Sequence, residues 1–275
     1  MARQSDRFGR TYYIDGAGNW GYGVAEVQKG LHEAGYRGNI INFTWSPTLN
    51  PALDQTIGRP VARLKGAELG KKITEYLKKY PDNQVNIICL SAGTGVGTWA
   101  CESLEPPAKV HNLIMLGSSL SSNYDINKAL KNISGGIYVY CSTSDMILQG
   151  PVKTLGTIDG KLGVEPAGSI GLRPPGGKNE KINNIRWSRR YERYGWTGSH
   201  TDATSEPFVQ HVLAKHILPE NQSLSPIEDA TARHAPTSQP AEAALLPKTP
   251  PTTQPALTAA LLRRLDPTEP ITTGG

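Results

Sequence analysis

Short apolar runs alternate with amphipathic stretches along the first 218 residues of the chain. The runs have the length and the β-branched content of strands that are buried on both faces of a sheet. We assign strands to residues 12–14, 39–45, 85–90, 110–116 and 137–141, and a final strand to residues 182–187.

Apolar residues at helical spacing fill the segments between these runs. The longest helix pattern begins at Pro60 and ends before Pro81, positions at which proline bounds a helix. Further helices are predicted from Val24 to about Gly35, from the glycine-rich turn after Ser91 to about Leu104, over 124–131 and over 205–217. The alternation predicts an α/β fold, a three-layer α/β/α sandwich around a mostly parallel, doubly wound sheet without a large cap domain.

Composition divides the chain into three parts. Residues 1–10 form an N-terminal extension, residues 11–218 carry the α/β pattern, and residues 219–275 are rich in Pro, Thr and Ala. The third part has too little apolar surface to order itself, so we expect a disordered tail. Its apolar island, Leu257–Leu265, could fold as a short helix on a protein partner.

The overall composition excludes some classes of protein. A net charge of +5 over 275 residues is too small to indicate nucleic-acid binding, and no nucleic-acid partner is expected. Cys89, Cys101 and Cys141 lie in apolar contexts, which predicts buried thiols rather than disulfides. No apolar run has the length of a signal-peptide core or a membrane span. Provided that the chain starts at Met1, we expect a cytoplasmic protein.

The stretch from Val85 to Trp99 contains the first candidate for chemistry. An apolar strand ends, Ser91 follows directly, and a glycine-rich turn leads into a helix pattern. Open α/β sheets place ligand sites at the carboxyl ends of their strands. A strained turn can hold a serine out of the sheet there if the residues two positions away are small, and Cys89 and Gly93 are small. Ser91 is therefore the candidate nucleophile.

A nucleophilic serine needs a histidine to take its proton and a carboxylate to orient that histidine. Asp145 follows the strand 137–141, and His200 lies in a loop before the last predicted helix. The chain therefore contains a serine, an acid and a histidine in that order. Asp125, which follows the fourth strand, is an alternative acid.

Three other histidines compete with His200 for the role of base. His111 lies at the start of a strand, on the side of the sheet away from the expected site. His211 and His216 lie on the last predicted helix, where surface positions are expected. His200 is therefore the preferred base.

With this order and spacing, residues 10–218 resemble an α/β-hydrolase, in which a strand–serine–helix elbow precedes the acid and the histidine. The resemblance implies a serine hydrolase similar to small esterases and lipases without a lid. It also implies an oxyanion hole made of the N–H groups of Ala92 and Ala17. The loop that contains Ala17 has Asp15-Gly16 where many relatives have His-Gly.

The expected substrate is a small-molecule or lipid acyl compound, and the chemistry requires no metal or organic cofactor. Trp20, Tyr22 and Trp45 are expected to shape an apolar acyl pocket together with the loop 46–58. The long segment 150–181 is expected to act as a flap over that pocket.

A second motif supports a different function. Gly16, Gly18 and Gly21 match the dinucleotide fingerprint GxGxxG, which would make the protein a nicotinamide-dependent oxidoreductase. That fingerprint requires an acid near the end of the next strand, where this chain has Asn42 and Thr44. A catalytically inactive α/β-hydrolase scaffold that binds partners is the remaining alternative.

Overall fold

Six parallel strands form one sheet in the computed structural model, which describes residues 4–218. The strands are β1 (Arg10–Ile14), β2 (Asn39–Asn42), β3 (Val85–Leu90), β4 (Leu113–Leu116), β5 (Ile137–Cys141) and β6 (Ile182–Arg186). Their order across the sheet is β2-β1-β3-β4-β5-β6. The predicted α/β class and parallel sheet are confirmed, whereas the tail predicted over 219–275 lies outside the described residues.

Two strands, β2 and β4, are each three residues shorter than their apolar runs predicted. β2 ends at Asn42, although Phe43 and Trp45 beyond it are buried. β4 begins only at Leu113, because Val110 forms an isolated bridge with Ile133. An apolar run predicts that its residues are buried, but a buried residue need not be hydrogen-bonded within the sheet.

Helices occupy the segments between the strands. The α-helices are α1 (Val24–Glu33), α2 (Pro51–Gln55), α3 (Arg59–Lys79), α4 (Gly93–Glu102), α5 (Asn127–Lys131), α6 (Lys153–Leu155), α7 (Ala167–Ile170) and α8 (Glu206–Phe208). Segments of 3₁₀ or π helix span Gln4–Phe8, Leu148–Val152, Arg189–Tyr194, Asp202–Thr204, Val209–Leu213 and Ala214–His216. The helix pattern predicted over 205–217 forms one continuous helical stretch, in which α8 passes into a π turn and then a 3₁₀ turn.

Alternating side chains of the central strands enter two hydrophobic cores on opposite faces of the sheet. From β3, Ile87 and Cys89 enter one core, whereas Ile88 and Leu90 enter the other. The first core contains side chains of α3, α4 and α5, and the second contains those of α1 and of the segment 206–216. Helices therefore cover both faces of the sheet, which gives three layers.

The chain reverses its winding direction between β1 and β3, because β2 lies on one side of β1 and β3 lies on the other. Such a reversal leaves a crevice at the carboxyl ends of the strands, where the two loops diverge. The loops after β1 and β3 begin at Asp15 and Ser91. The topology thus brings the early glycine loop and the candidate nucleophile to one crevice.

The three cysteines are free and buried, as their apolar contexts predicted. Burial raises the pKa of the Cys141 thiol to about 11, so this thiol is protonated at neutral pH. Within residues 4–218, no helix combines the length and the apolar character that a membrane crossing requires.

Candidate active site

Ser91 occupies a strained turn between β3 and α4. Its φ angle is 52°, in the left-handed region that non-glycine residues rarely adopt. Such a conformation costs about 1–3 kcal/mol and persists only where the surroundings impose it. The Ser91 N–H donates to the Leu116 carbonyl at 2.9 Å, and the Ser91 carbonyl accepts from the N–H groups of Thr94 and Ser119 at 3.1 and 3.3 Å. These bonds hold the turn from both sides.

The turn also needs a close approach between α4 and β1. A Cβ atom on Gly93 would lie 2.7 Å from the carbonyl oxygen of Ile14, closer than real Cβ contacts. Only glycine therefore fits two residues after Ser91. Two residues before it, the Cys89 thiol is fully buried and donates to the Ile114 carbonyl at 3.3 Å.

Asp145 and His200 are hydrogen-bonded to each other, with His200 Nδ1 2.7 Å from Asp145 Oδ2. The other carboxylate oxygen, Oδ1, accepts the N–H groups of Ile147 and Leu148, each at 3.1 Å. Since Asp145 is 2% exposed and its two oxygens are occupied, its orientation is fixed. A carboxylate at Nδ1 places the proton of a neutral imidazole on that atom and leaves Nε2 as the acceptor.

Gly117 leaves room for this pair at the end of β4. A Cβ atom on Gly117 would lie 3.1 Å from His200 Nδ1 and 3.3 Å from Asp145 Oδ2. Any side chain at position 117 would therefore crowd the bond between acid and histidine.

Ser91 and His200 line the same cavity, whose volume is about 660 Å³. This volume lies in the range that binds small organic ligands. Trp20 and Tyr22 line it, as the sequence predicted, and both are about half exposed at 58% and 49%. The prediction for Trp45 is wrong. Its side chain is 1% exposed and lies behind the loop, where Nε1 donates to the Asp15 carbonyl at 2.8 Å.

Ala17 and Ala92 have main-chain N–H groups that donate to no acceptor within residues 4–218. Ala92 directly precedes α4, where main-chain N–H groups point out of the helix and the helix dipole is positive. Ala17 lies in the loop after β1 and lines the cavity beside Gly16. A Cβ atom on Gly16 would lie 3.1 Å from the Ser91 Cβ, so this loop passes close to Ser91.

The neighbouring amides of the glycine loop are already occupied by carboxylates. Asp15 accepts the N–H groups of Gly16 and Gly21, both at 2.7 Å, and Asp54 accepts that of Gly18 at 2.8 Å. A dinucleotide fingerprint instead turns free N–H groups toward a pyrophosphate. The N–H groups of Gly16, Gly18 and Gly21 are therefore not available to a pyrophosphate.

Burial raises the pKa of Asp15 above its usual value, while the N–H donors from Gly16, Gly21 and Tyr22 lower it in part. These donors partly offset the cost of a charge that is 1% exposed.

The competing acid and histidines do not line this cavity. Asp125 is exposed and accepts the N–H of Asn127 at 3.1 Å, at the start of α5. His111 precedes β4 at the opposite end of the sheet, His211 packs against Tyr194, and His216 bonds to the Tyr140 hydroxyl.

Several residues of the cavity were not identified from the sequence. Asn50, Pro51, Ala52 and Gln55 line it from the start and the end of α2, inside the loop 46–58 that was expected to contribute. Of the expected flap 150–181, only Pro151, Val152 and Leu155 do so, the first two from the π turn Leu148–Val152. Residues 144, 146 and 147, just before this turn, also line the cavity. The proximity of this turn to Asp145 along the chain is the one signal that could have indicated its position.

No protein-family model matches this chain, and a search of curated proteins finds no match either.

Proposed function

We propose that the protein is a serine hydrolase of the α/β-hydrolase type that cleaves a carboxylic ester or a related acyl bond. The observation that carries the proposal is the 2.7 Å bond between Asp145 and His200, because His200 lines the same cavity as the strained Ser91. The six parallel strands and the order serine, acid, histidine support the same class.

In the first step, Ser91 Oγ attacks the acyl carbon and its proton passes to His200 Nε2. Asp145 accepts the Nδ1–H throughout and stabilises the imidazolium that forms. The carbonyl oxygen becomes an oxyanion, and the free N–H groups of Ala92 and Ala17 are the donors available to it. The tetrahedral intermediate then collapses, and His200 returns the proton to the leaving oxygen.

In the second step, water attacks the acyl-enzyme ester while His200 takes a proton from it. A second oxyanion forms in the same place, Ser91 Oγ leaves with the proton from His200, and the carboxylic acid is released. This sequence uses no group outside the chain other than substrate and water.

The lining of the cavity favours an uncharged, apolar acyl group. Among the described residues that line it there is no Lys or Arg, whereas the apolar lining comes from Trp20, Met146, Ile147, Val152 and Leu155. Burial of apolar surface contributes roughly 25 cal/mol per Å², so a longer aliphatic acyl chain gains affinity where a charged one loses it.

The proposal is tested by labelling the full chain with a fluorophosphonate probe, which reacts with activated serines. We expect the wild type to be labelled and Ser91→Ala to be unlabelled, because the hydroxyl that forms the bond is removed. His200→Gln should label at most about 10⁻³ as fast, since the general base is lost.

The two other functions predict different results in the same experiment. A folded wild type that is neither labelled nor active on neutral esters would contradict the hydrolase and favour an inactive binding scaffold. Binding of a nicotinamide cofactor that is lost on mutation of Gly16 or Gly18 would support the oxidoreductase.

A further inference from the structure

Two buried carboxylates from different elements hold the loop that contains Ala17. The first, Asp15, directly follows β1 and accepts N–H groups at both oxygens, Gly16 at Oδ1 and Gly21 at Oδ2. Its side chain thus closes the loop from residue 16 to residue 21. The Asp15 carbonyl is fixed in turn by Trp45 Nε1.

The second carboxylate, Asp54, reaches the loop from α2 and is fully buried. Its Oδ2 accepts the Gly18 N–H at 2.8 Å. The hydroxyl of Thr48 donates to Oδ1 at 2.9 Å, and the hydroxyl of Ser46 also donates to this carboxylate. Asp54 is therefore held by two hydroxyl groups while it holds the loop.

The amides on either side of Ala17 are thus fixed by different side chains. The Gly16 N–H is bound by Asp15 and the Gly18 N–H by Asp54, so the peptide planes before and after the one that carries the Ala17 N–H have set orientations. The Ala17 N–H between them has no acceptor within the described part of the chain, and Ala17 lines the cavity.

We propose that Asp15 and Asp54 are positioning residues that fix the Ala17 N–H in the direction of the oxyanion before the substrate binds. This inference rests on the proposed hydrolase function and adds two residues to it. Pre-oriented donors stabilise a developing charge without reorganisation during the reaction, which is where most of their effect arises. Each carboxylate acts through the loop rather than on the substrate.

The need for a carboxylate at position 15 follows from its two bonds. Both oxygens of a carboxylate accept, whereas an asparagine amide accepts at one atom and donates at the other. In Asp15→Asn, the NH₂ group of the amide would therefore face one of the two N–H groups, of Gly16 or Gly21, as a second donor. That hydrogen bond would be lost, and one end of the loop would be released.

The test compares Asp15→Asn and Asp54→Asn with Asp159→Asn. Asp159 is a matched control because both its oxygens also accept hydrogen bonds, from the N–H of Ser121 at 2.8 Å and from its hydroxyl at 2.6 Å. Asp159 does not line the cavity. For a neutral ester we expect kcat to fall about 10- to 100-fold in the first two variants, with KM changed less than about 3-fold. Asp159→Asn should keep kcat within about 2-fold.

A second measurement reports on the oxyanion itself. A trifluoromethyl ketone adds to the serine and forms a hemiketal oxyanion, so its affinity should fall in proportion to kcat in Asp15→Asn and Asp54→Asn. A change that only loosened the fold would not produce this proportionality. Thr48→Val is a milder variant, which removes only one donor to Asp54, and it replaces the other two in the test if they do not fold. We expect it to lower kcat about 2- to 5-fold.

The inference is overturned if the folded variants keep the wild-type kcat and inhibitor affinity, or if only KM changes. Failure of the underlying function is recognised separately, because the wild type would then show no labelling at Ser91. A wild type that labels at Ser91, with variants as active as the control, contradicts the role of Asp15 and Asp54 alone.

Discussion

At the scale of single residues, the site depends on how each polar atom is occupied. Asp145 has no oxygen free, because two main-chain N–H groups take Oδ1 and His200 takes Oδ2. The imidazole is thereby held in one orientation with Nε2 available. Asp125, which follows the preceding strand in the sequence, accepts the main-chain N–H of Asn127 instead.

This difference predicts opposite results for two equivalent substitutions. Asp145→Asn should lower kcat by about 10³- to 10⁴-fold, because an amide at this position favours the wrong histidine tautomer. Asp125→Asn should leave kcat within about 2-fold, since Asp125 is exposed at the start of α5. Steady-state hydrolysis of a neutral ester measures both. Loss of activity in the Asp125 variant alone would refute the assignment of the acid.

At the scale of elements, the site depends on the contact between β1 and α4. The backbone of α4 approaches the end of β1 so closely that Gly93 has no room for a Cβ atom. This contact places the turn at Ser91 next to the loop after β1. The proposed nucleophile and the proposed oxyanion donors therefore lie next to the contact between β1 and α4.

A methyl group at this contact should separate the two elements. Gly93→Ala is expected to lower the free energy of unfolding by about 1–3 kcal/mol through overpacking, and to lower activity as well. Gly150→Ala is the control, because a Cβ atom there meets nothing within 4 Å. Urea unfolding should show the control within about 0.5 kcal/mol of the wild type. Equal stability of the two variants would contradict the close contact.

At the scale of the whole molecule, a half-buried histidine, His216, joins the last described segment to the sheet. The Tyr140 hydroxyl lies 2.9 Å from His216 Nε2, and the ring of Tyr138 stacks on the imidazole with centroids 3.8 Å apart. The His216 carbonyl accepts a hydrogen bond from Asn112. Burial, and to a smaller degree Lys215, lower the pKa of His216 to about 4.

The lowered pKa makes stability depend on pH. Between pH 4 and about 6.5 the unfolded chain binds a proton at His216 that the folded chain does not, so the free energy of unfolding rises with pH across this window. The full contribution is on the order of 2–3 kcal/mol, present above pH 6.5 and lost as the pH approaches 4.

Urea unfolding of the wild type and of His216→Gln at several pH values measures this contribution. We expect a smaller slope in the variant between pH 4 and 6.5, whatever its absolute stability. His111, whose pKa burial also lowers, contributes to both slopes and cancels in the comparison. Equal slopes would show that His216 is not the group responsible.

Local sequence was sufficient for the features that depend on neighbours along the chain. The apolar run before Ser91 and the small residues around it predicted the strand, the turn and the helix. The positions of Asp145 and His200 after later strands predicted that they meet, and they are hydrogen-bonded. These predictions succeed because parallel strands end at one edge, so chain order translates into proximity.

Features that depend on contacts across the chain were not predicted. Trp45 was expected in the pocket, but it packs behind the loop because its N–H bonds to the Asp15 carbonyl. The carboxylate of Asp54 reaches the glycine loop from α2, and nothing in the local pattern marks it. Side-chain direction at such positions is set by long-range packing, which one sequence does not reveal.

The sequence by itself determined the class of fold, the order of its strands along the chain and the three residues proposed for the chemistry. The tertiary structure decided the strand order across the sheet, the lining of the cavity and the binding of every loop amide beside Ala17 to a carboxylate. The physical reason is the separation along the chain over which each effect acts. Propensity and hydrophobic period act over a few residues, whereas a fixed N–H donor depends on carboxylates brought together from the loop after β1 and from α2, about 40 residues apart.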